Sequence, residues 1–249
     1  MAGGSLTVDM GDDDLLPAFR TVIEVASAGI GGKLTLVGGL MVAVHARRAG
    51  VAMNRSTDDM DALVDYQADR SSLTDVSTAL RTIGFALHGD LGEPAYRFAH
   101  ADGRKVDIMV ADHLPSRMRP RIGRRDAFAV PAGQQAINRR DSCTLTFRGG
   151  ASATLGIPDE LGALVAKGAA YIADTRDRGR HLDDAAVLFA CVIDASSLDY
   201  DGMSANDRRR VRALIAQIGD SAHTSWIGLG PADRERGSMN VELIRRALD

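Results

Sequence analysis

Lysine is nearly missing from this chain: of its 30 basic residues only Lys33, Lys105 and Lys167 are lysines. Arginine is the default cation, so each lysine becomes a candidate for a place that needs a compact point charge. Aromatic residues make up only 4%, which argues against a surface that binds single strands mainly by base stacking. Cysteine is limited to Cys143 and Cys191 without a Cys-x-x-Cys pattern, and the six histidines show no metal-ligand spacing. Zinc and redox chemistry find no support, and a reducing interior is expected. No segment reaches the roughly 18 to 20 uninterrupted apolar residues of a membrane span, and the opening Met-Ala-Gly-Gly-Ser-Leu has no basic flank leading into an apolar stretch. Together these absences predict a cytoplasmic protein. No internal repeat is visible.

What is present suits an ordinary globular chain: 249 residues, 45% hydrophobic, with a net charge of -3. That is enough to bury a substantial core in one large or two modest domains. The most informative segment is Arg55-Ser-Thr-Asp-Asp-Met-Asp61, which leads into Ala62, Leu63 and Val64. On a strand, side chains at i and i+2 share a face, so Asp59 and Asp61 would aim their carboxylates at one small volume. Such a pair attracts a hard divalent cation, and Mg²⁺, which completes its shell with waters and substrate phosphates, suits phosphoryl or nucleotidyl transfer. A solvated acidic turn is the plainer alternative, and the surroundings must separate the two.

Upstream, residues 33–37 read as a strand, followed by Gly38-Gly39 and a helical segment. Glycines at a helix start let backbone N–H groups approach a phosphate, although a tight turn alone would also use them. Downstream, Val106, Ile108 and Val110 form one apolar face of a strand, with Asp107 on the other beside Lys105 and Met109. Three acids on adjacent strands, Asp59, Asp61 and Asp107, would hold Mg²⁺ or Mn²⁺, and Asp107 could take the proton of an attacking hydroxyl. An edge-strand surface charge is the alternative for Asp107. Arg55 and Thr57 would support the metal loop or contact phosphate.

Lys167 falls at the edge of the apolar stripe Leu161, Leu164, Val165 and Ile172, from which its ammonium can reach a cleft. Asp184 heads an apolar stripe of the next helix and needs a partner, which Arg178, Arg180 or Lys167 could supply. Helix capping is the alternative there. Arg117, Arg119, Arg121, Arg124 and Arg125 crowd a loop after Pro115, with Arg139 and Arg140 nearby, a density that fits RNA phosphates or a solvated loop.

Periodicity predicts an acid-capped helix over 12–28 and strands near 33–37, 59–65, 84–88, 95–99 and 105–111, with helices at 39–49 and 72–83. A hairpin follows over 143–147 and 153–157, then helices near 158–174, 180–194, 204–218 and 238–248. The fold class expected is α/β, with a core domain at 1–157 that includes the N-terminal helix and a helical C-terminal domain at 158–249.

The order Gly-Gly, Arg-x-Thr-x-Asp-x-Asp, then a strand with one Asp resembles the nucleotidyltransferase superfamily built on a polymerase-β-like core with a mixed sheet. The AbiEii/MenT-type toxins are the nearest in pattern. The resemblance rests on Leu36-Val-Gly-Gly-Leu-Met-Val-Ala-Val-His45, Arg55 to Asp61, Gly84-Phe85, Tyr96-Arg97-Phe98, Val106-Asp107-Ile108, Lys167 and Arg178-Gly-Arg-His-Leu-Asp-Asp184, about residues 33 to 193. Many relatives carry Gly-Ser in the phosphate turn, where this chain has Gly38-Gly39, so one hydroxyl donor is gone. The resemblance implies transfer of NMP from a nucleoside triphosphate, with Lys167 on the triphosphate and Asp184, or alternatively Asp183, bordering the nucleotide. It further implies a tRNA 3′ end as acceptor and a cognate antitoxin as partner. A small-molecule, antibiotic-type acceptor and a nucleotide- or partner-binding protein without catalysis remain open as alternatives.

Overall fold

A computed structural model describes residues 4–13, 16–53 and 57–249. The chain forms two compact units, one from Met1–Leu40 and Thr57–Pro158, the other from Met41–Ser56 and Asp159–Asp249. Residues 41–56, expected within the first domain, thus cluster with the second.

The first unit is built on β-branched and aliphatic strands. In chain order its elements are β1 (Ser5–Gly11), α1 (Pro17–Val25), β2 (Leu34–Val37), the start of α2 (Gly38–Ala49), β3 (Asp59–Val64), α3 (Ser72–Thr82), β4 (Ala86–Leu87) and β5 (Arg97–Ala99). β6 (Lys105–Ala111), β7 (Arg121–Ile122), β8 (Arg125–Asp126), β9 (Ala129–Val130), α4 (Gly133–Asn138), β10 (Arg140–Phe147) and β11 (Ser152–Pro158) follow. Among the described residues they make a nine-stranded mixed sheet in the order β1-β10-β11-β2-β3-β6-β5-β4, with β9 also on β6. The pairs β3/β6 and β11/β2 are parallel, and β2/β3 and β5/β6 antiparallel.

Period-two alternation gives this sheet two unlike faces. Leu34, Leu36, Met60, Ala62, Val64, Phe98, Val106, Ile108 and Val110 share one of them, and none is more than 1% exposed. α1 packs there with Phe19, Val22 and Val25 buried. On the opposite face Leu63 joins Val37, Ala136 and Ile137, with Met109 and Val130 against them. Burying such a leucine contributes roughly 1.5–3 kcal/mol. The apolar cluster anchors one end of that face and leaves the start of β3 and β6 to polar side chains.

Two expectations are corrected, and one strand is found where none was assigned. The acids at 12 and 13 do not cap the first helix: it begins at Pro17, with Leu16 as N-cap and no acid in its first turn, because proline's fixed φ suits that position. Residues 5–11, to which no element was assigned, form β1 by pairing in parallel with β10. The arginine-rich loop contains the small β7/β8 hairpin.

The second unit comprises the rest of α2, then α5 (Glu160–Ala173), α6 (Gly179–Cys191), α7 (Ala205–Ile218) and α8 (Pro231–Leu248). Asp159 caps α5 by accepting from Gly162 N at 2.7 Å, and Arg48 of α2 pairs with Glu160. Asn240 Nδ2 donates to the carbonyls of Phe189 and Val192 at 2.9 and 2.8 Å, which satisfies the end of α6 and ties α8 to it. Among the described residues no helix is long and apolar enough to cross a membrane.

Candidate active site

Strand register brings two of the three acids side by side. Asp61 on β3 lies opposite Asp107 on β6, Val37 of β2 lies opposite Asp61, and Arg97 of β5 lies opposite Asp107. One row therefore crosses four strands: Val37, Asp61, Asp107, Arg97. Asp59 stands two residues along β3 on the same face, opposite Lys105.

Arg97 and Lys105 supply the positive charge that these carboxylates need. Arg97 donates through Nε and Nη2 to the two oxygens of Asp107 at 2.9 and 2.7 Å, and Nη2 also reaches Asp59 Oδ2 at 3.4 Å. Lys105 Nζ lies 3.7 Å from Asp59 Oδ1. Asp107 is only 6% exposed, so its bidentate partner offsets a costly burial. The same contact, with Asp59 adding its charge, holds the Arg97 guanidinium above its ordinary pKa against the lowering effect of burial. Arg97 was not among the site residues expected from sequence. Its signal was a lone arginine alternating with Phe98 on a strand next to the one bearing Asp107.

The glycine turn closes against the acids. Gly38 holds φ at +67°, and a Cβ on it would lie 1.9 Å from Asp61 Oδ2. A Cβ on Gly39 would lie 2.8 Å from Thr57 Oγ1. The first two residues of α2 therefore accept no side chain while Asp61 and Thr57 keep their places. Arg55 lies outside the described residues.

Asp59, Asp61 and Asp107 share one face of the paired strands β3 and β6. Among the described residues no three His, Cys, Asp or Glu side chains are grouped so as to hold a metal ion. Arg97 joins Asp107 to Asp59, whereas Asp61 rests against Gly38. The donors are nonetheless all oxygen, and Mg²⁺ commonly takes only one or two protein carboxylates. Asp59 and Asp61, on one face of one strand, fit that smaller demand.

Lys167 and Asp184 meet in the helical unit. Lys167 Nζ is 2.6 Å from Asp184 Oδ2, with side-chain exposures of 6% and 5%. The ammonium expected to reach into a cleft is thus buried against the acid that required a partner. Asp183 is exposed, and both acids line a cavity of about 210 Å³ with Ala52, Met53, Val187, Thr224, Ser225, Gly228 and Leu229. His181 lies nearby, its Nε2 3.1 Å from Asp174 Oδ2. Burial, with the charges of Lys167 and Arg180, pushes its pKa down, and Asp174 opposes.

The arginine cluster divides. Arg117, Arg119, Arg121 and Arg124 are exposed. Arg125 is buried and donates to the carbonyls of Glu93, His88, Gly89 and Pro94 at 2.8–3.0 Å. Its place among acceptor-binding candidates is corrected accordingly: the guanidinium is spent on orphan carbonyls of the chain itself.

No family model and no curated protein matches this sequence. Among solved structures the chain is similar to ANT(2")-Ia in complex with adenylyl-2"-tobramycin, at 11% identity, covering 92% of this chain and 94% of that one, with a TM-score of 0.36. A likeness at that level leaves the site to be read from its own geometry.

Proposed function

We propose that this protein is a nucleotidyltransferase on a polymerase-β-like core, moving NMP from a nucleoside triphosphate to an acceptor hydroxyl, with a tRNA 3′ end as acceptor. In this reading it is the toxin of a toxin–antitoxin pair of the AbiEii/MenT type. The observation that carries the chemistry is the Asp61 carboxylate lying in the space a Gly38 side chain would fill. A triphosphate brought to the backbone of that turn would face a carboxylate, and the two anions repel unless a cation lies between them. Mg²⁺ or Mn²⁺ held by Asp59 and Asp61 would supply that charge and polarise the reacting phosphate.

The residues divide the remaining work. Gly38 and Gly39 offer backbone N–H groups at a helix start, where negative charge is favoured. Thr57, packed on Gly39, braces the loop before β3. The acceptor oxygen bonds to the α-phosphorus, the bond to the bridging oxygen breaks, and pyrophosphate leaves with that electron pair. The hydroxyl proton passes to Asp107, which becomes able to take it once Arg97 moves from its carboxylate to the triphosphate. Lys167 and Asp184, which the family resemblance assigns to the nucleotide, enter this reading as a buried ion pair.

A small cationic acceptor is the second reading, favoured by the cavity bearing Asp183 and Asp184. At about 210 Å³ that cavity falls below the roughly 300–1,000 Å³ of drug-sized sites, and Lys167 neutralises one of the two acids. The exposed arginines favour RNA. The deciding experiment incubates the protein with each radiolabelled nucleoside triphosphate, Mg²⁺ and total RNA. Label at RNA 3′ ends that Asp61→Asn abolishes is expected. Absence of transfer to any acceptor, with thermal stabilisation by nucleotide retained in Asp59→Asn and Asp61→Asn, would leave a nucleotide-binding protein without catalysis.

A further inference from the structure

Few aromatic rings exist in this chain, and two of them are placed together beside the acids. The rings of Tyr96 and Phe128 lie 5.2 Å apart at 44°. Phe128 is 39% exposed and Tyr96 is half-buried. Both are held by the sheet that carries Asp107: Phe128 N donates to Ala95 O and its carbonyl accepts from Val110 N, both at 3.0 Å, while Ile108 N donates to Tyr96 O at 2.8 Å. The Arg97 guanidinium lies 5.5 Å from the Tyr96 ring centre and is bonded to Asp107. Phe128, Tyr96, Arg97 and Asp107 thus form one continuous run of contacts.

A single exposed ring needs no explanation. Here the ring has an aromatic partner, a cation over that partner, and a basic segment immediately before it in the chain. Arg117, Arg119, Arg121 and Arg124 are exposed, and among the described residues Arg121 has an acid in reach, Asp126 at 3.3 Å. Arg125 pins the β7/β8 hairpin to the backbone of residues 88–94, so the basic segment and Phe128 hold a fixed relation.

We propose that Tyr96 and Phe128 form a stacking platform for a base of a single-stranded nucleic acid, with Arg117, Arg119, Arg121 and Arg124 on its phosphates. A base has a π-face that packs on such rings whatever its identity, and arginine adds cation–π attraction and backbone charge. That the bound strand is the acceptor, its terminal hydroxyl delivered past Arg97 to the acids, rests on the nucleotidyl-transfer reading; strand binding itself does not.

The test measures fluorescence anisotropy of a 5′-labelled, mixed-sequence oligoribonucleotide of about twelve residues, a length within the usual site sizes. Phe128→Leu and Phe128→Ala are expected to weaken binding about tenfold, and Phe128→Trp to retain it within about twofold. An abasic strand of equal length should bind wild type and Phe128→Leu alike. Failure of wild type to bind the strand, or equal affinities of wild type and Phe128→Leu, overturns the proposal. So does a Phe128→Leu loss confined to free nucleoside triphosphate, which would assign the rings to the substrate's own base. A Phe128→Leu loss on the strand, in a protein that transfers no label, would remove the transfer reading and leave the platform standing.

Discussion

Gly38 must stay glycine for two separable reasons, its left-handed φ and the carboxylate of Asp61 against it. An L side chain at such a φ costs about 1–2 kcal/mol, and the overlap with Asp61 adds to this. Gly38→Ala should therefore destabilise the protein more in the wild-type background than beside Asp61→Ala, with a coupling of about 0.5–3 kcal/mol in denaturant unfolding. Strict additivity would mean that Asp61 moves aside freely. The Lys167–Asp184 pair invites a parallel experiment, because removing one member of a buried ion pair costs about 3–5 kcal/mol whereas replacing both with apolar groups is often neutral. Lys167→Ala should unfold early in urea, and Lys167→Met with Asp184→Leu should recover most of the loss. Transfer measured in that double variant then separates folding from chemistry: wild-type turnover would remove Lys167 from the triphosphate. At this scale sequence was informative for acids and weak for their partners. Alternation alone placed Asp59 and Asp61 on one face, whereas Arg97 meets Asp107 through an antiparallel register that no local pattern encodes. Arg125 looked like its neighbours because burial against distant carbonyls leaves no trace in a run of arginines.

Elements with a strong internal signal came through best. The starts of α5 and α7 fall within two positions of those expected, and both are capped by side-chain bonds within three residues, Asp159 to Gly162 N and Ser204 with Asp207. β1 was missed although Val8 and Met10 alternate with polar neighbours, since its existence depends on pairing with β10, far along the chain. α8 starts at Pro231, well before the expected 238, because the proline at its first turn is favourable. α6 carries a pH-dependent element that pattern reading passed over. His181 is buried, mainly by which its folded pKa lies below the ordinary 6.5, with Lys167 and Arg180 adding repulsion and Asp174 opposing. The unfolded chain then binds the proton first, so this contribution to stability is present above about pH 6.5 and is lost as pH falls toward the folded value. Urea unfolding of wild type should weaken over that range, and His181→Gln should show a shallower decline. Equal slopes in the two proteins would mean that His181 is protonated as readily in the fold as outside it.

For the whole molecule, the α/β character and the helical C-terminal portion were readable from periodicity, but the grouping of residues 41–56 with the helices follows from tertiary packing that a linear scan does not see. Charge at this scale is equally local. A net charge of -3 gives the protein no general attraction to nucleic acid, so the proposed strand is assigned to the locally exposed Arg117, Arg119, Arg121 and Arg124. Four phosphate contacts to a single strand would give log affinity against log salt a slope of about -3, and Arg124→Ala should make it shallower by about 0.7. A slope near zero would take the arginines off the phosphates. If strand binding feeds nucleotidyl transfer to tRNA ends, blocked aminoacylation would stop translation and expression should arrest bacterial growth. Asp61→Ala, which removes a carboxylate proposed to hold the metal, should be harmless at equal protein level, and Phe128→Leu should be intermediate. A neighbouring gene's product should relieve the wild-type arrest. Undiminished toxicity of Asp61→Ala, or intact tRNA ends under wild-type expression, would detach the acids from any toxic effect and move the acceptor to the small-molecule class.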